Sequence, residues 1–339
     1  VDRSDLHKRG HKLLKRAVKQ LSRKDFDDFD RLGFIKESAQ PLYAHILEVH
    51  LALDYETIDE VSRFPLSVNY RAENLFAKDF LNRFYYVSAE NDDRVEAMRE
   101  LGELLFFDPI LSSDNRMSCA SCHAPEKAFT DGLTTSLGNN GEPIKRNAMT
   151  LNYSVYASGY FHDMRTKRLE DQFEHVVVSE DEFDSNYVDI IAKLEQSPEY
   201  SSRFQEIFPD QGSKIRPNQI DYALVAYVMS LNPFDSSIDR YLRGEINDLP
   251  EDVKRGFNLF AGKAACATCH FMPLFSGTVP PLYVESESEV LGVPEHKDRP
   301  LELDDDRGRI TNGNRREVAQ FFESSFKTPT VRNIACLLY

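Results

Sequence analysis

The sequence predicts a mainly α protein: two related helical modules with long loops, preceded by a further helical region. Three observations carry that expectation. Apolar residues recur at helical spacing through most of the chain, strand-like alternation is scarce, and one pattern occurs twice. A helix ending in Leu105-Phe106-Phe107 stands ahead of one Cys-x-x-Cys pair, and a helix ending in Leu259-Phe260 stands ahead of another.

At 339 residues the chain has material for about two or three domains. Hydrophobic residues make up 41% and charged residues 29%, a globular mixture with enough apolar content for a core. No run of 18 apolar residues occurs, so no transmembrane helix is expected. The 56 acidic side chains outnumber the 41 basic ones. The resulting net charge of −15 argues against a nucleic-acid binder, whose affinity rests on neutralising phosphates. It suits docking to partners with basic patches. Residue 1 is Val and no charged-then-apolar leader follows it, so a mature or clipped N-terminus is expected, with any export signal already removed.

In the first 90 residues, Leu6, Leu13, Leu14, Ala17, Val18 and Leu21 form a helical stripe flanked by Lys8, Arg9, Lys12, Lys15, Arg16 and Lys19. Such a helix suits a membrane surface or, the reading favoured here, packing on its own domain with a solvated basic face. A second stripe, Leu42, Ile46, Val49 and Leu53, carries His45 and His50 as helix-face residues rather than ligands. Asn91-Asp92-Asp93 offers a cap for a helix through Met98, Leu101, Leu104 and Leu105, which should stop near Asp108-Pro109. Residues 111–149 turn to Ser, Asn, Gly and Thr, a loop long enough to be functional. Helices resume near 169–176, from Asn218 through Ile220, Leu224, Tyr227 and Leu231, and from Pro250 through Val253, Phe257 and Phe260.

The chemistry lies in two identical patterns. Cys119-Ala-Ser-Cys122-His123 and Cys266-Ala-Thr-Cys269-His270 are both C-x-x-C-H, the attachment sequence of c-type haem. Two thiols three positions apart can each form a thioether with one haem vinyl group, and the next His lies where its imidazole reaches the iron. At this composition a given Cys opens such a pattern by chance with a probability of about 0.0004. A zinc site would pair two C-x-x-C units within about 20 residues, whereas these lie far apart, each with its own His. No βαβ pattern supports a thioredoxin-like motif. The odd fifth thiol is Cys336. With two haems the chain is either an electron carrier with both irons closed or an enzyme with one iron open beside an acid–base group.

Around these motifs the chain resembles the bacterial di-haem cytochrome c peroxidase family, which includes the MauG-type enzymes. The resemblance runs through residues 101–129 (LGELLFFDPILSSDNRMSCASCHAPEKAF), 145–152 (KRNAMTLN), 161–172 (FHDMRTKRLEDQ), 255–270 (RGFNLFAGKAACATCH) and 326–333 (FKTPTVRN). It covers roughly 94–335, and the first 90 residues lie outside it. Helical periodicity marks an N-terminal helical region (1–93), and the resemblance implies a peroxidatic c-haem domain (94–247) and an electron-transfer c-haem domain (248–339). Cys119, Cys122 and His123 would hold the peroxide-reducing haem, and Cys266, Cys269 and His270 the haem that receives electrons. The distal acid–base residue falls on Glu182, the pocket glutamine on Gln172, and a calcium ligand on Asn147. On composition alone the 179–184 run would be a solvated acidic face, so Glu182 is singled out by the resemblance. A buried carboxylate there would have the raised pKa a proton shuttle needs.

Three departures matter. The histidine that closes the first haem in many members falls on Asn139, which predicts an open, high-spin iron active without prior reduction. His162, Met149 and Met164 are the alternative sources of a ligand. The tryptophan often found between the haems falls on His162, and the chain contains no Trp. The second haem's sixth ligand, a Met or Tyr, would lie beyond Asn333; Met272 is too near His270 to reach the opposite face. The chain is therefore expected to stop short of that ligand, and Cys336–Tyr339 to be a non-native tail. The favoured reading is a periplasmic peroxidase with two covalent haems c and a calcium ion. It reduces hydrogen peroxide with electrons from a small cytochrome c or cupredoxin, and a homodimer is compatible with it. A MauG-like oxidase of a protein or small substrate, and a non-catalytic electron carrier, stay open as alternatives.

Overall fold

A computed structural model describes residues 3–22, 25–88, 93–212, 214–295 and 302–336. The chain is about 47% helical with few strands. Among the described residues one sheet forms, in which Ser288–Val290 pairs antiparallel with Ser325–Lys327, Glu289 opposite Phe326. The Asn91 and Asp92 of the expected helix cap and the tail residues 337–339 lie outside the described residues.

The chain divides into two compact units, and the division differs from the one the sequence suggested at residues 93 and 247. One unit comprises 1–82, 233–276 and 280–283; the other comprises 83–232, 277–279 and 284–339. The N-terminal region is thus part of the module that carries the second C-x-x-C-H. The reason is core size: Leu242, Leu249 and Phe257 form a small cluster that Leu32 and Phe76 complete, and small modules bury too little surface alone. Polar ties reinforce the join. Asn258 Oδ1 accepts from the Leu32 amide at 3.0 Å, and Asn74 Nδ2 donates to the Leu242 carbonyl at 2.9 Å.

Within this unit the Arg3–Leu21 helix buries Leu6 and Ala17 but leaves Leu14, Val18 and Leu21 exposed, so only part of the expected stripe packs on its own domain. On the Gln40–Ala52 helix the buried residues are Gln40 and His45, the latter facing Arg9 and Glu48, while Ile46 is exposed.

The other unit is built on the crossing of the Val95–Phe107 and Pro217–Ser230 helices. Met98, Leu101, Leu105 and Phe106 meet Ile220, Ala223, Leu224 and Tyr227 in one apolar core. The first helix starts without a side-chain cap at Arg94 and ends at Asp108, held extended before Pro109. Tyr187–Gln196 and Pro198–Ile207 in this unit, and Ser237–Arg243 in the first, are helices that the periodicity did not mark. At the crossing Gly102 is required: a Cβ there would lie 1.8 Å from the Ala223 carbonyl oxygen, which is backbone and cannot swing away.

Gly102→Ala therefore sets two effects against each other. Helix propensity favours alanine by about 1 kcal/mol, whereas forced separation of packed helices costs about 1–3 kcal/mol or more. With an overlap this deep the second wins. Denaturant titration is expected to show a loss of stability, and a variant as stable as the parent would contradict the crossing.

Candidate functional site

The first C-x-x-C-H begins with a capping box. Ser118 and Ser121 bond each other's backbone amides, closing the single helical turn Cys119–Cys122. The His123 amide donates to the Cys119 carbonyl at 2.9 Å, so both thiols and the imidazole are set by one turn. The chain then reverses: Ala124 and Phe129 bond across the turn, and Ala128 and Phe129 both take left-handed backbone conformations at φ 53° and 60°. For non-glycine residues this is costly, and it persists only when the surroundings impose it. Its result is that the Phe129 carbonyl faces His123 Nδ1 at 3.0 Å. A carbonyl only accepts, so Nδ1 carries the proton and Nε2 keeps a lone pair for a metal. Burial also lowers the His123 pKa, favouring the neutral ring.

The second motif repeats the device in its own unit. The His270 amide donates to the Cys266 carbonyl at 3.0 Å, and His270 Nδ1 lies 3.3 Å from the carbonyl of Phe275, itself left-handed at φ 52°. Phe275 is anchored by the rings of Phe76, Phe257 and Phe260. Met272 packs on the same core, and its carbonyl accepts from the Tyr283 hydroxyl at 2.8 Å.

Cys122 and His123 open onto a cavity of about 330 Å³, and Gln172, Glu182, Asn147, His162, Arg165 and Lys327 line it too. An adjoining apolar pocket of about 70 Å³ has Cys119, Phe106, Leu169 and Phe173 among its walls. The structure thus gathers Gln172, Glu182, Asn147 and His162 around the first motif, leaves Asn139 and Met164 out of the cavity lining, and keeps the second motif's residues in the other unit. Gln172 sits on the Leu169–Val178 helix. Beyond that helix a tight turn, with Asp184 left-handed at φ 46°, points Glu182 and Phe183 inward while Glu180, Asp181 and Asp184 face solvent. Burial raises the Glu182 pKa, outweighing the opposing hydrogen bond from Ser179 and the charge of Arg165.

Asn139 is spoken for. Its Nδ2 donates to the Glu180 carbonyl at 2.8 Å and its amide to the Asp181 carbonyl at 2.9 Å, so it fastens the segment that carries Glu182. His162 Nε2 donates to the Asn147 carbonyl at 3.2 Å, and burial, with help from Lys327 and Arg146, pushes its pKa down to about 4. His162 is therefore neutral at pH 7. Met164 is buried, with Arg309 Nη1 3.6 Å from its sulfur.

The cations of the cavity differ in their partners. Arg146 takes Asp163 at 2.6 Å and Asp306 through two bonds of 2.7 and 2.9 Å, which holds the Asp306 carboxyl well below the usual range. Arg165 shares Asp163 at 3.1 Å. Among the described residues Lys327 has no carboxylate partner, and burial lowers its pKa to about 8. An ammonium that faces the cavity without a carboxylate partner, an apolar wall, two thiols and an imidazole whose proton is held on Nδ1 fit a haem, whose apolar ring bears two carboxylates. Lys327 lies within the 326–333 segment of the resemblance, which assigns it no role, and neither phenylalanine carbonyl is marked by a motif. Their signal is an aromatic residue five or six positions after each motif His.

Comparison with known proteins places these features. Residues 96–247 match the family profile described as di-haem cytochrome c peroxidase. Cytochrome c551 peroxidase of Nitrosomonas europaea is 33% identical over 252 residues, spanning 73% of this chain and 68% of that protein. Methylamine utilization protein MauG of Methylorubrum extorquens is 32% identical over 170 residues, 50% of this chain and 48% of its own. The chain spans about half or less of the length of several such relatives. Among solved structures, a MauG-like protein associated with microbial copper homeostasis superposes with a TM-score of 0.62 at 28% identity, covering 71% of each chain. The diheme peroxidase BthA from Burkholderia thailandensis shares the fold, with a TM-score of 0.57 at 22% identity over 75% of this chain and 69% of its own.

Asn139→Ala removes one bond from the Glu182 segment, a change worth about 1 kcal/mol. Hydrogen–deuterium exchange is expected to speed up at the amides of Glu182 and Asp184, which now bond to the Ser179 carbonyl. Unchanged protection there would mean that Asn139 does not hold the segment.

Proposed function

Since the chain belongs to the di-haem cytochrome c peroxidase family, we propose that it reduces hydrogen peroxide to water, with electrons delivered by a small redox protein. Its cofactors would be two haems joined by thioethers at Cys119 and Cys122 and at Cys266 and Cys269, with His123 and His270 as iron ligands. When bound, the first haem supplies an iron that accepts a peroxide oxygen and the electrons that break the O–O bond. The balance is one peroxide, two electrons and two protons to two waters.

The chain's own residues handle the protons. Glu182, as carboxylate, takes the proton of the near oxygen; as acid, it returns that proton to the departing oxygen. Gln172, lining the same cavity, orients the oxygens through its carboxamide. Lys327 would neutralise a carboxylate of the bound haem, and His162, neutral, fills the site without adding charge. The observation that carries this reading is Glu182 turned inward onto the cavity of Cys122 and His123 with its pKa raised by burial. Asn147, whose carboxamide makes no hydrogen bond among the described residues, is the proposed calcium ligand. The net charge of −15 suits a basic donor such as a small cytochrome c or cupredoxin. A periplasmic setting goes with the reading.

Glu182→Gln tests it. The loss of a proton shuttle is expected to lower kcat for peroxide about 10²–10⁴-fold, and parental turnover would refute the assignment. The sign of the pH dependence follows from the raised pKa. The base form is lost as pH falls through a value above the usual ~4.3 of a glutamate, so the acid limb of kcat/KM is expected above that value and absent in the glutamine variant.

Asn139 generates a separate outcome. With its carboxamide bonded to Glu180, no latch ligand stands at that position. The EPR spectrum of the oxidised protein is expected to contain a high-spin signal, and a spectrum holding only low-spin iron would overturn the open-site reading.

A further inference from the structure

We propose that the Arg3–Leu21 helix, with the Gln40–Ala52 helix beside it, seats the protein on an anionic phospholipid surface. The observation is the mismatch between the helix and what packs on it. Leu14, Val18 and Leu21 follow one another at positions i, i+4 and i+7 and are 55%, 65% and 57% exposed. Leu14 also lines an apolar groove of about 360 Å³ with Leu6, Val49, Ala52 and Leu53. On the neighbouring helix Ile46 is 66% exposed.

Charge complementarity selects the occupant. The helix carries seven Lys and Arg against one Asp, a net +6 in a chain whose total is −15. Arg9 and Arg16 are taken by Glu48 and Glu37, and Lys8 reaches Asp5 at 3.6 Å. Lys12, Lys15 and Lys19 form no ion pair among the described residues. With Lys8 they follow at i, i+4, i+7 and i+11, a cationic row beside the apolar one. An acidic protein partner would satisfy the lysines but not the leucines, and an apolar partner the reverse. A membrane interface offers both at once: phosphates at the height of the ammonium groups and acyl carbons beneath them. Among the described residues no helix is long and apolar enough to cross a membrane, so the helix would lie on the surface.

The experiment uses the full chain as purified, co-sedimented with vesicles of phosphatidylcholine alone or with about 30 mol% phosphatidylglycerol. Partitioning is expected to be at least about tenfold stronger on the anionic vesicles and to weaken with salt. It should fall by at least about tenfold in Lys12→Gln/Lys15→Gln/Lys19→Gln and, separately, in Leu14→Ser/Val18→Ser. All these positions are solvent-facing, and far-UV circular dichroism verifies the fold of each variant. Equal partitioning on both lipids overturns the proposal, as does a lysine dependence without a leucine dependence. A salt-sensitive dimer without vesicle binding overturns it too, by assigning the face to a second copy of this chain.

Discussion

An imidazole can offer Nε2 to a metal in a fixed direction only if something else holds its Nδ1 proton, and both C-x-x-C-H turns meet that constraint with a main-chain carbonyl. The cost is a phenylalanine in the left-handed region after each motif, Phe129 and Phe275. Everything around the turns serves to keep that conformation. Phe129 packs on the helix crossing through Phe106, and Phe275 is gripped by three rings from its own unit. The aromatic side chain is the handle, and the carbonyl is the working part. Packing energy far from the metal position is thereby converted into ring orientation.

The first cavity shows how one fold sorts like groups into different states. Asp163 and Asp306 are both held by Arg146, which keeps the Asp306 carboxyl well below the usual carboxylate range, whereas Glu182, facing a poorly solvated space, is driven toward its protonated form. His162 is pushed the other way by burial among cations. Arginine, which does not deprotonate, takes the fixed ion pairs; the lysine is left for the cavity.

Much of the chemistry was legible in the sequence because it is written locally. Two thiols and an imidazole within five residues need no long-range information, and Pro109 marks the end of its helix. Glu182 was not legible on composition, because the turn that points it inward depends on Asn139 some forty residues earlier and on Asp184 adopting a left-handed conformation. Phe129 and Phe275 act through carbonyls, which every residue possesses, so their one trace in the sequence is an aromatic residue five or six positions after each motif His. Lys327 lies beyond the second motif in sequence yet lines the cavity of the first. The partition into units failed to show for the same reason: Leu32 and Phe76 find their core partners more than 160 residues downstream.

That interleaving bears on biogenesis. A chain emerging from its N-terminus presents Leu32 and Phe76 long before Leu242, Leu249 and Phe257 exist to cover them. The helices of 83–232 can meanwhile assemble around the first C-x-x-C-H, since their crossing partners lie within that stretch. Maturation would then be ordered, with the first thiols set on a formed scaffold and the second pair framed only when the opening segment is joined by residues 233–276. Until that moment the N-terminal helices are an unfinished half-core, open to capture by chaperones or by one another.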